Sequence, residues 1–139
     1  MYLLDTNIVS ELRKPKPHGG VLAWLQSIPD TDIAISAVTI GEIASGIENT
    51  RTQDPEKAHT IEMWLNEISL TINVIPMDAP AFRVWGQIMH KQSNTVIEDA
   101  MIAATAIAHK LTVVTRNEKD FKRFKVALFN PFKSEINMS

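Results

Sequence analysis

Short apolar or β-branched runs, each followed by a helix-start signal, constrain this chain more than any other feature. Residues 2–4 (Tyr-Leu-Leu) read as a first strand that ends at Asp5, with Thr6 or Asn7 capping a short helix over residues 8–13. Pro15 and Pro17 break that helix, and Gly19-Gly20 precede a second one over residues 21–28. Residues 33–35 form a second predicted strand, and Ser36 caps a helix over 38–47. Asp54-Pro55-Glu56 combines a cap, a proline at the first helical position and an acid in the first turn. The helix it opens carries Ile61, Trp64, Leu65 and Ile68 at the helical period. A brief strand at 74–75 stops at Pro76, and Asp78-Ala79-Pro80 starts a helix with Trp85, Ile88 and Met89 on its apolar side. After a loop at 93–95, residues 97–109 make an alanine-rich helix, 112–115 a fourth strand, 116–120 a loop and 126–129 a short fifth strand before Pro131 and a polar tail. Strands that alternate with helices pair in parallel through right-handed crossovers. The predicted architecture is therefore α/β, a three-layer α/β/α domain around a parallel sheet of four to five strands.

Composition narrows the possible chemistry. With 139 residues and 45% hydrophobic content, the expectation is one globular domain over 1–139. The absence of cysteine excludes disulfides, thiolate metal sites and a cysteine nucleophile. The apolar start is too short for a signal peptide and no run approaches a membrane span, so a cytoplasmic protein is expected. The net charge of −2 hides an asymmetry: residues 1–99 hold 13 acids and 7 bases, and residues 100–139 hold 3 acids and 7 bases. Most of the late bases cluster as Lys110, Arg116, Lys119, Lys122, Arg123 and Lys125, either a solvated surface or a stretch able to hold a polyanion.

Four acids fall where ligands bind in open parallel sheets, outside the carboxyl ends of strands or at helix starts. Asp5 lies at the tip of the first strand, where it can cap the next helix or serve a site. Glu42 projects from the side of its helix opposite Ile40, Ile43, Ala44 and Ile47, with small neighbours at Gly41, Ser45 and Gly46. Asp99 lines up with Ile102, Ala103 and Ala106, so its carboxylate must cap, pair or bind a metal. Glu98 beside it is an accessory candidate. Asn117 and Asp120 both lie past the fourth strand, and either can cap a helical turn. Convergence of these carboxylates implies neutralisation by Mg²⁺ or Mn²⁺, which prefer oxygen ligands. His18, His59, His90 and His109 lack metal-ligand spacing, and Trp24, Trp64 and Trp85 fit helix stripes better than nucleotide stacking.

Taken together, Leu4-Asp5-Thr6-Asn7, Ser36-Ala37-Val38-Thr39-Ile40-Gly41-Glu42, Glu98-Asp99-Ala100-Met101-Ile102-Ala103-Ala104-Thr105-Ala106 and Thr115-Arg116-Asn117-Glu118-Lys119-Asp120-Phe121 resemble the PIN-domain family. Their order and spacing look like VapC-type toxins of type II toxin–antitoxin pairs, and the ending Phe129-Asn130-Pro131-Phe132 looks like the FitB-like branch. The resemblance implies a PIN-like fold and a ribonuclease that cuts RNA phosphodiester bonds with Mg²⁺ or Mn²⁺ in an acidic pocket. By motif, Asp5, Glu42 and Asp99 match the family's most regular acids. The fourth position falls on Asp120 or on Asn117, and Asp120 is the expected ligand. Thr6, Asn7, Thr115 and Asn117 are then expected to orient the acids, and Arg116 and Lys119 to contact RNA. The resemblance also implies a homodimer and a VapB-like, DNA-binding antitoxin, with possible higher assembly on DNA. The helices over 55–69 and 79–91, including Met63 and Met89, are candidate interfaces.

Two other readings compete. A signalling receiver domain needs paired acids after its first strand, and this chain has one. A non-catalytic PIN-like module, acting only through an antitoxin–DNA complex, would have lost its acids, and here all four are present.

Overall fold

A computed structural model of the chain describes residues 1–134. Five strands form one all-parallel sheet in the order β3-β2-β1-β4-β5: β1 (Tyr2–Leu4), β2 (Ile33–Ser36), β3 (Asn73–Ile75), β4 (Thr112–Val114) and β5 (Leu128–Phe129). Successive side chains on a strand point to opposite faces, and both faces here are apolar, as a parallel sheet requires. Leu3, Ala34 and Val113 enter one core with Ala100, Ala103 and Ala106, whereas Leu4, Ile35 and Val114 enter the other with Ile8, Val9 and Val21. Helices α5 (Ala79–Ile88), α6 (Ile97–His109) and α7 (Glu118–Lys122) cover the first face. Helices α1 (Thr6–Leu12), α2 (Gly19–Ser27), α3 (Ala37–Arg51) and α4 (Pro55–Thr71) cover the second. Among the described residues no helix is long and apolar enough to cross a membrane.

The helix starts follow from local chemistry. Ser36, Asp54 and Asp78 accept backbone N–H bonds at 3.0, 3.1 and 3.0 Å as the caps of α3, α4 and α5. The expected cap of α1 is corrected: α1 begins at Thr6, and Asp5 rather than Thr6 or Asn7 takes the first free N–H. Helix α2 begins at Gly19, capped by the Nδ1 of His18. The segment 93–95 ends in a 3₁₀ turn, Asn94–Val96, and the expected loop 116–120 contains the start of α7. The fifth strand shortens to two residues, and a four-residue helix α8 (Pro131–Ser134) follows it; the rest of the expected polar tail lies outside the described residues. Of the two methionines marked as interface candidates, Met63 is exposed, whereas Met89 packs against the core.

Helix α6 ends at Lys110 in the left-handed region, φ 57° and ψ 48°, where Leu111 N–H closes on Ala106 O at 2.8 Å. A side chain with Cβ pays roughly 1 kcal/mol for that conformation, and glycine does not. Lys110→Gly is therefore expected to raise the melting temperature by about 3 °C in thermal denaturation, a gain visible at this chain length.

Candidate active site

In this strand order the connections leave β1 to one side and reach β4 on the other, so the sheet's switch point is the β1/β4 seam, where open α/β sheets place their ligands. Asp5 stands there. Its N–H extends the ladder to Val114 O at 2.9 Å, and its carboxylate is 5% exposed. One carboxylate oxygen accepts the Thr6 N–H at 2.8 Å; the other accepts the Thr115 hydroxyl at 2.8 Å and the Asn7 amide at 3.0 Å. One side chain thus caps α1 with one oxygen and, with the other, ties the end of β1 to the residue after β4.

Thr115 and Asn7 form the clasp between the strands. The buried Thr115 hydroxyl donates to Asp5 and accepts the Asn117 N–H at 3.0 Å, while Asn7 Oδ1 accepts the Arg116 N–H at 3.4 Å. Asn117 contributes that backbone N–H; its side chain makes no cap bond at the start of α7.

Glu42 reaches the site through hydroxyls. Thr6 Oγ1 donates to Glu42 Oε1 at 2.8 Å, and Thr39 Oγ1 lies 3.0 Å from the Thr6 hydroxyl, which its proton can reach. Thr39 is fully buried and was not singled out from sequence, although it sits one helical turn before Glu42 on the same side. The expected face of α3 is corrected. The helix buries Thr39 and Ile47 with Ile40 and Ile43 half-buried, and Ala44 is exposed. Glu42 is half-buried at the border of that face, because α3 starts at the carboxyl end of β2, where its inner side meets the Thr6 hydroxyl.

Asp99, in the first turn of α6, and Asp120, in the first turn of α7, complete the arrangement. Electrostatics show that the four acids share one region. Burial pushes the Asp5 carboxyl up despite its bonds from Thr115 and Thr6, and the charges of Glu42 and Asp120 push it further. Burial likewise raises Glu42 against its bond from Thr6, with Asp99 and Glu98 adding repulsion. Asp99 is raised to about 6, by burial first and then by Asp5, Asp120 and Glu98, with Arg123 opposing. Asp120 is exposed, yet it acts on both Asp5 and Asp99; Glu98 is also exposed and acts on Glu42 and Asp99. Among the described residues no group of three or more Asp, Glu or His side chains is placed to hold a metal ion. The donors are all carboxylate, hydroxyl and amide oxygens, a hard set suited to Mg²⁺, which keeps several waters and takes only one or two carboxylates directly. Arg116 and Lys119 stand exposed at the rim, the Arg116 guanidinium 4.7 Å from the centre of the Phe132 ring.

Comparison with known proteins agrees with this geometry. The family profile of the PIN domain matches residues 2–127. The chain is 34% identical to Toxin FitB of Neisseria gonorrhoeae, over 95% of this chain and 99% of that protein. It is also 34% identical to VapC ribonuclease Y4jK of Sinorhizobium fredii, over 95% of this chain and 98% of that one. Its fold superposes on a chain of the structure of FitAB bound to the IR36 DNA fragment with a TM-score of 0.80 and 33% identity, covering 95% of this chain and 96% of the other. The chain belongs to the PIN-domain family, in its branch of FitB- and VapC-like proteins.

Proposed function

We propose that this chain is the toxin of a type II toxin–antitoxin pair, a metal-dependent endoribonuclease that hydrolyses RNA phosphodiester bonds at the β1/β4 crevice. The observation that carries the reading is the gathering of Asp5, Glu42 and Asp99, whose carboxyls are raised by burial first and then by neighbouring acids that include Asp120, an arrangement costly to keep without a cation to neutralise it. Similarity to the protein named VapC ribonuclease Y4jK, at 34% identity over nearly the whole chain, supports it.

Mg²⁺ or Mn²⁺ held by these acids would supply a hydroxide nucleophile and charge neutralisation at the phosphoryl oxygens. The protein's own contribution is preorganisation. Three donors hold Asp5 in one orientation, so its carboxylate pays little to rearrange on binding. The Thr39–Thr6 hydroxyl relay aims Glu42. Burial of Asp5 keeps bulk water from screening that carboxylate, which strengthens its own charge interactions. The partner is a VapB-like, DNA-binding antitoxin that covers the crevice, in keeping with the assembly of FitAB on DNA, and the working form is a homodimer in the cytoplasm.

Purified protein is expected to cleave RNA with Mg²⁺ or Mn²⁺. Expression without antitoxin is expected to arrest growth, and Glu42→Gln to relieve the arrest. Full toxicity of a folded Glu42→Gln protein would reject nuclease action at this crevice and favour a non-catalytic role.

A further inference from the structure

Beside the acidic crevice lies a cavity of opposite character, about 380 Å³ in volume, between the segment that follows β4 and the turn that follows β5. Arg116, Lys119, Lys122 and Lys133 line it against two acids, Glu118 and Asp120. We infer that this cavity binds a backbone phosphate of the substrate RNA next to the one that is cut, through Arg116, Lys119 and Lys122. The inference rests on the ribonuclease reading above and adds to it a place for the strand.

Position is the first argument. Asn117 lines the cavity beside Asp120, and its N–H bonds at 3.0 Å the Thr115 hydroxyl that donates to Asp5 at 2.8 Å, so the cavity adjoins the acids through that clasp. A strand whose phosphate reaches the acids must continue past this clasp. Four carboxylates repel a polyanion, and a neighbouring cluster of fixed cations offsets that repulsion and steers the strand in.

Preorganisation is the second. The Arg116 guanidinium lies 4.7 Å from the centre of the Phe132 ring, and that ring packs on His18 at 4.6 Å. Phe132 N–H is held by Asn130 Oδ1 at 3.0 Å, and the Asn130 amide bonds Arg116 O and Glu118 Oε2, each at 3.4 Å. A stacked, planar guanidinium on a braced floor loses little entropy on gripping a phosphate with two N–H groups. Charge compensation is the third. Lys133 pairs with Glu118 at 2.7 Å, so Arg116, Lys119 and Lys122 face one remaining acid, Asp120, and the lining stays net positive. Contacts to phosphate oxygens carry no sequence information, so this contact is expected to be independent of sequence.

The test measures binding of a single-stranded RNA oligonucleotide in metal-free buffer, with every variant built on Asp99→Asn to prevent cleavage. Lys119→Gln/Lys122→Gln is expected to weaken binding about tenfold near 0.1 M salt and to lower the slope of log affinity against log salt by about 0.7, the share of one single-strand phosphate. Both residues are exposed, and Lys122→Gln alone, expected to give about half the change in slope, serves if the pair disturbs folding. Lys57→Gln, in the first turn of α4 and outside this cavity, is expected to change neither quantity. In the cleaving protein the double change is expected to raise KM more than it lowers kcat. Unchanged affinity and slope would overturn the phosphate site and leave the nuclease reading standing. Loss of antitoxin binding with RNA binding intact would also overturn it, as the cavity would then dock protein. The expected loss of RNA binding in a protein that cleaves no RNA with any divalent metal would keep the phosphate site and overturn the nuclease reading.

Discussion

Asp99→Asn is expected to abolish RNA cleavage and, in metal-free buffer, to make the protein more stable. The two effects share a cause. A carboxylate raised from 3.8 to about 6 by burial and by Asp5, Asp120 and Glu98 is one that the folded protein holds at a cost. Between about pH 4 and pH 6 the folded state retains a proton that the unfolded chain has released, so stability falls as pH rises through that window. Above pH 6 the cost is fully present. The whole shift corresponds to about 3 kcal/mol; solvent screening of a half-buried group leaves roughly 1–2 kcal/mol. Asparagine removes the charge and keeps the shape, so its melting temperature at pH 7.5 should exceed that of the unchanged protein by about 3–6 °C, and the gain should shrink toward pH 4.5. Cleavage should fall at least about a thousandfold in kcat/KM, equivalent to roughly 4 kcal/mol of transition-state stabilisation. Cleavage within threefold of the original would remove Asp99 from the site. A gain in stability that did not depend on pH would mean that the charge on Asp99 is not its source.

Chelation is expected to produce a comparably large loss. Treatment with EDTA should end cleavage, and Mg²⁺ or Mn²⁺ should restore it, whereas Zn²⁺ should restore little because the site offers no imidazole or thiolate. Bound cation relieves the repulsion among the acids, so the ion should also stabilise the fold, by about 2.7 kcal/mol at a hundredfold excess over its dissociation constant. The ligands must be ionised to bind it. The rise in melting temperature with Mg²⁺ should therefore be large at pH 7.5 and largely gone at pH 5, where Asp99 is protonated in the metal-free protein. Asp5→Asn should lose the Mg²⁺-dependent rise in differential scanning fluorimetry. An equal Mg²⁺ effect in Asp5→Asn and in the unchanged protein would place the ion elsewhere.

The alternation of strands and helices was readable because each long element announces itself locally. Asp54-Pro55 and Asp78-Ala79-Pro80 stop one element and start the next within a few residues, and the alanine-rich segment Ile97–His109 ends where a left-handed turn closes it. Short elements carried no such signal. Helix α7 has five residues, little more than one turn, so periodicity cannot separate it from a loop. The face of α3 was misread for a different reason: a hydrophobic stripe identifies the side that packs on apolar neighbours, but near the end of a sheet part of the buried side faces a polar site. Thr39, fully buried with its hydroxyl on Thr6, is a residue that such a stripe overlooks.

Residue types and their order along the chain determined which groups were available: one acid at a strand tip, three at helix starts or within helices, and a late run of bases. They also determined a parallel sheet, because strands separated by helices have few other ways to pair. Tertiary structure alone decided which of those groups meet. Asp5 and Thr115 are 110 positions apart and share a hydrogen bond because β1 and β4 are neighbours at the point where the strand order reverses. The charge of Asp120 acts on Asp5 and Asp99, whereas Asn117 supplies a backbone N–H to Thr115. Coulomb interaction depends on distance through space, and only the folded chain sets that distance.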